Sequence, residues 1–312
     1  MPKVSIIGAG NVGATAAYYL AEKNFADIVM VDVVPGMPQS KALDFSHAAP
    51  SRGYNVTIVG SNDYEAIKDS DVVVHTAGMP RKPGMDRMDL LKTNVGIAKS
   101  AAQAIKKHAP DSLVIAVANP LDVIAMVALR ETGFDSRRVV GMAGILDSTR
   151  FRYFIAEKLG VLPEAVMAMV LGGHGDTMVP LVSYTSVGGF PLRDLMDEET
   201  IEQLVERTRK GGGEIVSYLK KGSAYYAPAA SAAKMVEALV RDEKRLVAAS
   251  AYLTGEYGYK DIFLGVPVLL GKGGVEKIYE LDLTKEEKAA LDNSAEHVAE
   301  GVKTLESIYS PG

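Results

Sequence analysis

Six short apolar runs recur through the first half of the chain: Val4–Ile7, Ile28–Val31, Val56–Val59, Val72–Val74, Leu113–Val117 and Arg138–Val140. Longer segments with helical spacing separate most of them. Strands that are apolar at nearly every position must be covered on both faces, and helical crossovers between them favour parallel pairing. The pattern predicts an α/β fold, a Rossmann-like doubly wound parallel sheet that ends near residue 143.

The second half has another rhythm. Strand-like runs fall at Val166–Leu171, Val179–Val187, Leu246–Leu253 and Ile262–Leu269, joined by shorter, Gly-containing connections. Such spacing predicts antiparallel strands with helices packed on them. A capping box, Thr284-x-x-Glu287, opens the last helix, and Leu291, Ala295, Val298, Val302, Leu305 and Tyr309 follow on one face. Gly211-Gly212-Gly213 interrupts a helical pattern and predicts a kink or a close backbone approach. The chain therefore divides into residues 1–143 and an α+β substrate domain with antiparallel strands, residues 144–312. No repeat, low-complexity tract or flexible linker stands between them, so a tight interface is expected.

Composition narrows the chemistry. The 312 residues include no cysteine, which removes disulfides, Cys-ligated metals and thiol nucleophiles. Lys+Arg 34 against Asp+Glu 39 gives a net charge of −5. That balance argues against a broad nucleic-acid or anionic-membrane surface and leaves any anion to be bound by placed residues. The first residues run directly into an apolar strand without a secretory pattern, and no window resembles a membrane span. A cytoplasmic protein with a small-molecule substrate is the expectation.

Gly8-Ala9-Gly10-Asn11-Val12-Gly13 follows the first strand and opens a helical segment. In that context the first glycine permits a tight turn, the second lets backbone approach a pyrophosphate and the third lets helix pack on strand. Asp32 ends the second strand, 19 residues beyond Gly13, where its carboxylate can accept both hydroxyls of an adenosine ribose. The same charge repels a 2′-phosphate, so NAD is expected over NADP. Tyr64-x-x-x-Lys68 matches the catalytic pair of short-chain reductases, but it precedes the fourth strand and the glycine spacing is wrong for that class; it is read as chance.

Three further features bear charge. Residues 78–87 form a Pro/Gly-punctuated loop with Arg81, Lys82 and Arg87 after the fourth strand, at the sheet edge where ligands bind, although a solvated loop has the same composition. Asp147 and Arg150 lie three apart on a helix beside Phe151 and Phe154, either as a surface ion pair or as a desolvated pair, in which Arg150 can clamp a carboxylate. His174 sits among Gly172, Gly173 and Gly175, which leave room for a ligand, and Asp147 is its candidate partner for proton exchange. His47, His75, His108 and His297 are read as structural. No ligand cluster surrounds His174 and Asp176, so no metal is expected.

Taken together, the chain resembles the lactate/malate dehydrogenase family along nearly its whole length, closest to the lactate-dehydrogenase-like malate dehydrogenases of prokaryotes. The shared pieces are Gly8–Gly13, Thr76-Ala77-Gly78, Arg81-Lys82-Pro83-Gly84 with Arg87, Lys92-Thr93-Asn94, Asn119-Pro120, Asp147-Ser148-Thr149-Arg150 and Gly173-His174-Gly175-Asp176. The resemblance implies that His174 is the acid/base and Asp147 its partner. It implies that Arg150 clamps the carboxylate beside the reacting carbon, that Arg87 polarises the carbonyl and that Asn119 lies near the nicotinamide ribose and substrate. Gly8, Gly10, Asn11, Val12, Gly13, Asp32, Thr76, Ala77, Gly78, Asn94, Val117 and Asn119 are implied to line the NAD site.

Arg81 occupies the specificity position where lactate enzymes of the family carry Gln, and a cation there matches the second carboxylate of oxaloacetate. Ala224, where lactate enzymes usually have Thr, points the same way. The implied reaction is reversible hydride transfer between malate and NAD, with closure of the 78–88 loop completing the site. The rivals are a lactate or other 2-hydroxy-acid dehydrogenase and a non-catalytic NAD-sensing protein; Arg81 argues against the first and the Asp147/Arg150/His174 set against the second. The resemblance also implies a homo-oligomer, dimer or tetramer, and the segment Pro38–Ala49 offers Ala42, Phe45 and Ala49 as a close-packing stripe beside Lys41, Asp44 and His47. His75 stands where the family more often has an apolar residue.

Overall fold

The structure is a computed structural model and describes residues 1–79 and 87–309. β1 (Lys3–Ile7), β2 (Asp27–Val31), β3 (Ile58–Ser61), β4 (Val72–His75), β5 (Leu113–Ala116) and β6 (Val139–Gly141) pair in parallel in the order β6-β5-β4-β1-β2-β3. Alternate side chains of these strands enter opposite cores, which is why the runs are apolar at most positions. Val4, Ile6, Val72 and Val74 pack with Ala16, Ala17 and Leu20 of α1 (Asn11–Lys23) and Ala42 of α2 (Met37–Arg52). Ile7, Val73 and Val114 pack with Val95, Ala98 and Ile105 of α3 (Arg87–His108) and Ile124 and Val127 of α4 (Leu121–Thr132).

The order reverses at β1, which pairs with β2 on one side and β4 on the other. Helical connections leave in opposite directions there and open a crevice at the strands' carboxyl ends. This switch point is where the fold presents a ligand site.

Beyond β6 come α5 (Gly144–Leu159), β7 (Val166–Met167), β8 (Val170–Leu171), β9 (Val179–Pro180), β10 (Ser186–Val187) and β11 (Phe190–Pro191). Then follow α6 (Glu198–Leu219), α7 (Tyr226–Val240), β12 (Arg245–Thr254), β13 (Lys260–Gly271), β14 (Gly274–Ile278) and α8 (Lys285–Ile308). The antiparallel pairing predicted for this half is present in β12, β13 and β14. These strands do not form a separate layer: β12 pairs antiparallel with β6 through Ser250 and Gly141, so one nine-stranded sheet crosses residue 143. Gly141 permits the junction, because a Cβ there would lie 2.8 Å from the Ser250 Cβ.

Four local expectations are corrected. Val166–Leu171 is two short strands, β7 pairing with β10 and β8 with β9 in different sheets. Val179–Val187 is broken by a 3-10 turn at Val182–Tyr184, after Pro180, which has no N–H to continue a ladder. β3 begins two residues later than the apolar pattern indicates and includes Gly60, where a Cβ would meet the Pro38 carbonyl oxygen at 2.1 Å. The stripe on α2 faces its own chain: Ala42 is buried and the Phe45 ring lies 5.3 Å from that of Tyr18.

The capping box of α8 is formed in both directions between Thr284 and Glu287, and Leu291, Ala295, Val298, Val302 and Leu305 are buried as the spacing predicts. Among the described residues no helix is long and apolar enough to cross a membrane.

Candidate active site

The glycine loop joins β1 to α1 at the switch point. Gly8 has φ +104°, and a Cβ there would collide with the Ala77 backbone at 2.6 Å. A Cβ on Gly13 would come within 1.9 Å of the Gly8 carbonyl oxygen, so the third glycine is what lets α1 sit against the loop. Thr76 closes the other side: its hydroxyl donates to the Gly8 carbonyl at 2.9 Å, and the Thr76 and Ala77 N–H groups donate to Ile7. Gly10 differs from both. It is exposed, a Cβ there would meet nothing within 4 Å, and no side chain caps the start of α1 at Asn11 and Val12. Open space above uncapped helical N–H groups fits a pyrophosphate.

Asp32 stands beside this loop. Its carboxylate accepts the Ala9 N–H at 2.7 Å and the Val34 N–H at 2.9 Å, one on each oxygen, which orients it and leaves a lone pair on each for ribose hydroxyls. Across β4, the buried Asn94 braces two loops: its Oδ1 accepts from Met79 N–H at 2.7 Å and its Nδ2 donates to the Asn119 carbonyl at 2.8 Å and to the Met79 carbonyl at 3.2 Å. A Cβ on Gly78 would touch the Ala118 Cβ at 3.1 Å, and Val117 hydrogen-bonds back to His75. Thr76, Ala77, Gly78, Asn94, Val117 and Asn119 are thereby gathered along the ends of β4 and β5, next to the glycine loop.

The family model described as lactate/malate dehydrogenase, NAD binding domain, matches residues 2–141, and the one described as lactate/malate dehydrogenase, alpha/beta C-terminal domain, matches residues 145–308. The chain belongs to the lactate/malate dehydrogenase family. It is 56% identical over 306 residues to the malate dehydrogenase of Thermomicrobium roseum, covering 98% of this chain and 99% of that one. It is similar in structure to the malate dehydrogenase of Cryptosporidium parvum, with TM-score 0.96 and 43% identity over 98% of this chain and 100% of that one. The lactate dehydrogenase of the same organism, complexed with lactic acid and nicotinamide adenine dinucleotide, aligns with TM-score 0.94 and 44% identity over 98% of each chain. As in the family, the first half is an NAD-binding domain of Rossmann type.

The second half of the family's architecture assembles the charged cluster. Asp147, on the first turn of α5, is buried and joins two side chains: His174 Nδ1 lies 2.9 Å from its Oδ2 and Arg150 Nη1 lies 3.4 Å from its Oδ1. The surface-pair reading of Asp147 and Arg150 is therefore excluded. Among the described residues Arg150 has no other hydrogen-bond partner, and burial pulls its guanidinium below its ordinary value while Asp147 pulls it back up. For His174, burial disfavours the imidazolium, but the charge and hydrogen bond of Asp147, with Asp122 in support, outweigh it against Arg150. Its pKa is raised above the ordinary histidine value.

Gly211 and Gly212 explain how Arg150 fits. α6 runs unbroken through the triple glycine, and a Cβ on Gly211 would lie 3.2 Å from Arg150 Cδ. Of the two expectations for that motif, the close approach is realised and the kink is not. Arg81 lies outside the described residues, as do most of the 78–88 loop and the side chain of Arg87, whose backbone opens α3.

Three further side chains contribute to the site. Lys41 of α2 donates to the Ala9 carbonyl at 2.5 Å, bringing a cation to the glycine loop. Ser294 of α8 accepts the Gly173 N–H at 2.9 Å, and Asp122 of α4 accepts the His174 N–H at 3.2 Å. Asp122 was visible as an acid ahead of the apolar stretch Val123–Leu129; the other two had no local signal, since both act across elements remote in sequence. The Tyr64/Lys68 pair is a 3-10 turn and its cap.

Proposed function

We propose that the chain is an NAD-dependent malate dehydrogenase that interconverts malate and oxaloacetate. The observation that carries the reading is the buried Asp147 joining His174 to Arg150, which has no other partner among the described residues, in a chain that also holds an NAD-binding domain. A non-catalytic NAD sensor needs no such set. NAD, when bound, supplies the acceptor or donor of the hydride.

The chain's own residues do the rest. Asp147 holds Nδ1, which leaves Nε2 of His174 to exchange the substrate proton: the imidazolium donates to the alkoxide forming on oxaloacetate, and neutral imidazole accepts the hydroxyl proton of malate. Arg150 takes the carboxylate beside the reacting carbon in a two-pronged pair, and its partial burial strengthens that pair. Arg87 polarises the carbonyl and Asn119 orients substrate and nicotinamide ribose.

Arg81 sets the choice of substrate. Oxaloacetate presents a carboxylate where pyruvate presents a methyl group, and if the closed loop excludes water, a guanidinium left without a partner costs about 3–5 kcal/mol, roughly two to four powers of ten in kcat/KM. A lactate dehydrogenase is the second reading, favoured by the 44% identity to such an enzyme. NADH oxidation measured in parallel with oxaloacetate, pyruvate and 2-oxoglutarate decides between them. Oxaloacetate should dominate, and Arg81→Gln should lower its kcat/KM while raising that of pyruvate. Equal use of pyruvate by the wild type, or an unchanged ratio in the variant, would sink the assignment. A dimer or tetramer belongs to the same proposal; Leu43 on the outer face of α2 is 58% exposed, and light scattering on the full chain measures the mass.

A further inference from the structure

α4 begins at the switch-point edge of the sheet and is buried along nearly its whole length, yet its second residue is an acid. Asp122 is 7% exposed. Its Oδ1 lies 2.6 Å from the hydroxyl of Ser250 on β12, and its Oδ2 accepts the backbone N–H of His174 at 3.2 Å. Gly173 lets the loop that carries His174 lie against α8, because a Cβ there would stand 2.7 Å from Val298 Cγ2.

The protonation of this carboxyl follows from its neighbours. Ser250 is fully buried, and among the described residues its hydroxyl has no acceptor except Asp122. The His174 N–H is also a donor. A proton on Asp122 would face donors at both oxygens and leave a buried O–H unsatisfied, which costs more than the net gain of an ordinary hydrogen bond. The first turn of α4 adds the positive end of the helix dipole, which favours an anion. Burial raises the carboxyl above its ordinary value, with Asp147 adding to the rise, and Ser250, the His174 charge and the His174 N–H oppose it.

We infer that Asp122 is a positioning residue for His174 and its second counter-charge: a buried carboxylate, oriented by Ser250, that holds the histidine backbone and favours the imidazolium. The inference rests on the proton-exchange role given to His174 above. Among the described residues the charged groups around His174 are Asp147 and Arg150 from α5 and Asp122 from α4; Ser250 of β12 and Ser294 of α8 are neutral contacts of Asp122 and of Gly173. Asp147 reaches the ring and Asp122 the backbone, so the two carboxylates act from different sides of one residue.

Asp122→Asn tests the charge while keeping an acceptor for the His174 N–H. Profiles of kcat/KM against pH are recorded for oxaloacetate reduction and malate oxidation, with NADH binding as the control for folding. Loss of a nearby opposite charge should lower the midpoint of both profiles by about one unit. An unmoved midpoint in a variant that binds NADH normally overturns the inference. A purely structural acid would change amplitudes in both directions and leave the midpoints in place. If the variant does not fold, the wild type labelled with ¹³C at aspartate Cγ gives the answer, the Asp122 signal being identified by its change in Ser250→Ala. A carboxylate signal at neutral pH supports the inference and a carboxylic-acid signal overturns it. Failure of the functional reading looks different: the wild type would then reduce none of the ketoacids, or His174→Ala would retain its activity.

Discussion

A single side chain's worth in this molecule depends on which groups lack a partner once it is removed. Asp32 orients the glycine loop by accepting the Ala9 N–H, and in the proposed function its charge also repels a ribose phosphate. Asp32→Ser should therefore weaken NADH use, because the Ala9 N–H loses a charged acceptor, and improve NADPH use relative to it. The ratio of kcat/KM for the two cofactors measures this; a ratio unchanged by the substitution would remove Asp32 from cofactor choice. His75 is the opposite case, a fully buried imidazole on β4 whose Nε2 has no partner among the described residues. Burial depresses its pKa to about 4. The unfolded chain binds the proton at an ordinary histidine value, so the native state loses stability as pH falls from about 6.5 toward 4, by about 2 kcal/mol near pH 5. His75→Val lacks this liability. Urea midpoints should favour the variant more near pH 5 than near pH 8, and a pH-independent difference would mean that His75 is not held neutral.

At the scale of elements, the triple glycine of α6 separates function from propensity. Gly213 has nothing within 4 Å of its would-be Cβ, so Gly213→Ala should stabilise the helix by about 1 kcal/mol and leave kinetics unchanged. Gly211→Ala gains the same propensity but crowds Arg150 Cδ at 3.2 Å. It should raise KM for oxaloacetate roughly tenfold by displacing the guanidinium. Equal kinetics in the two variants would separate Gly211 from Arg150. The glycines also show where sequence reading stops. The parallel strands were legible because most of their positions are buried and many are β-branched, and α8 because its cap and stripe agree. The Val166–Leu171 run was not, since an apolar stretch does not reveal that its two ends pair with different partners. Likewise Asp147, Arg150 and His174 announce themselves by type and spacing, whereas Asp122, Ser250 and Lys41 acquire meaning only when α4, β12 and α2 reach the same edge of the sheet.

For the whole molecule, the decisive fact is that the cores on both faces of the large sheet are built from both halves, while a third core, with Phe151, Ile155, Val170 and Ile201, belongs to the second half alone. β12, β13 and β14 extend the sheet that β1 to β6 begin, and the junction at Gly141 and Ser250 carries the residue that orients Asp122. The core on the α1 face mixes Val4, Ile6 and Leu20 with Ala232, Val236, Leu253 and Leu264 from beyond residue 143, and the opposite core mixes Val114 and Ile124 with Phe263, Val302 and Leu305. Separating the halves would expose apolar side chains on both faces, each costing about 1.5–3 kcal/mol when fully uncovered. Independent unfolding of the NAD-binding half should therefore not occur. Hydrogen exchange followed by mass spectrometry across a urea series checks this, with peptides from β1, β4 and α1 set against peptides from α7, β12 and β13. The two groups should lose protection at the same urea concentration, matching the transition seen by circular dichroism. Separated midpoints would show that the shared sheet does not couple the halves, and would leave the alignment of Asp122 with His174 without the rigid frame that the site chemistry requires.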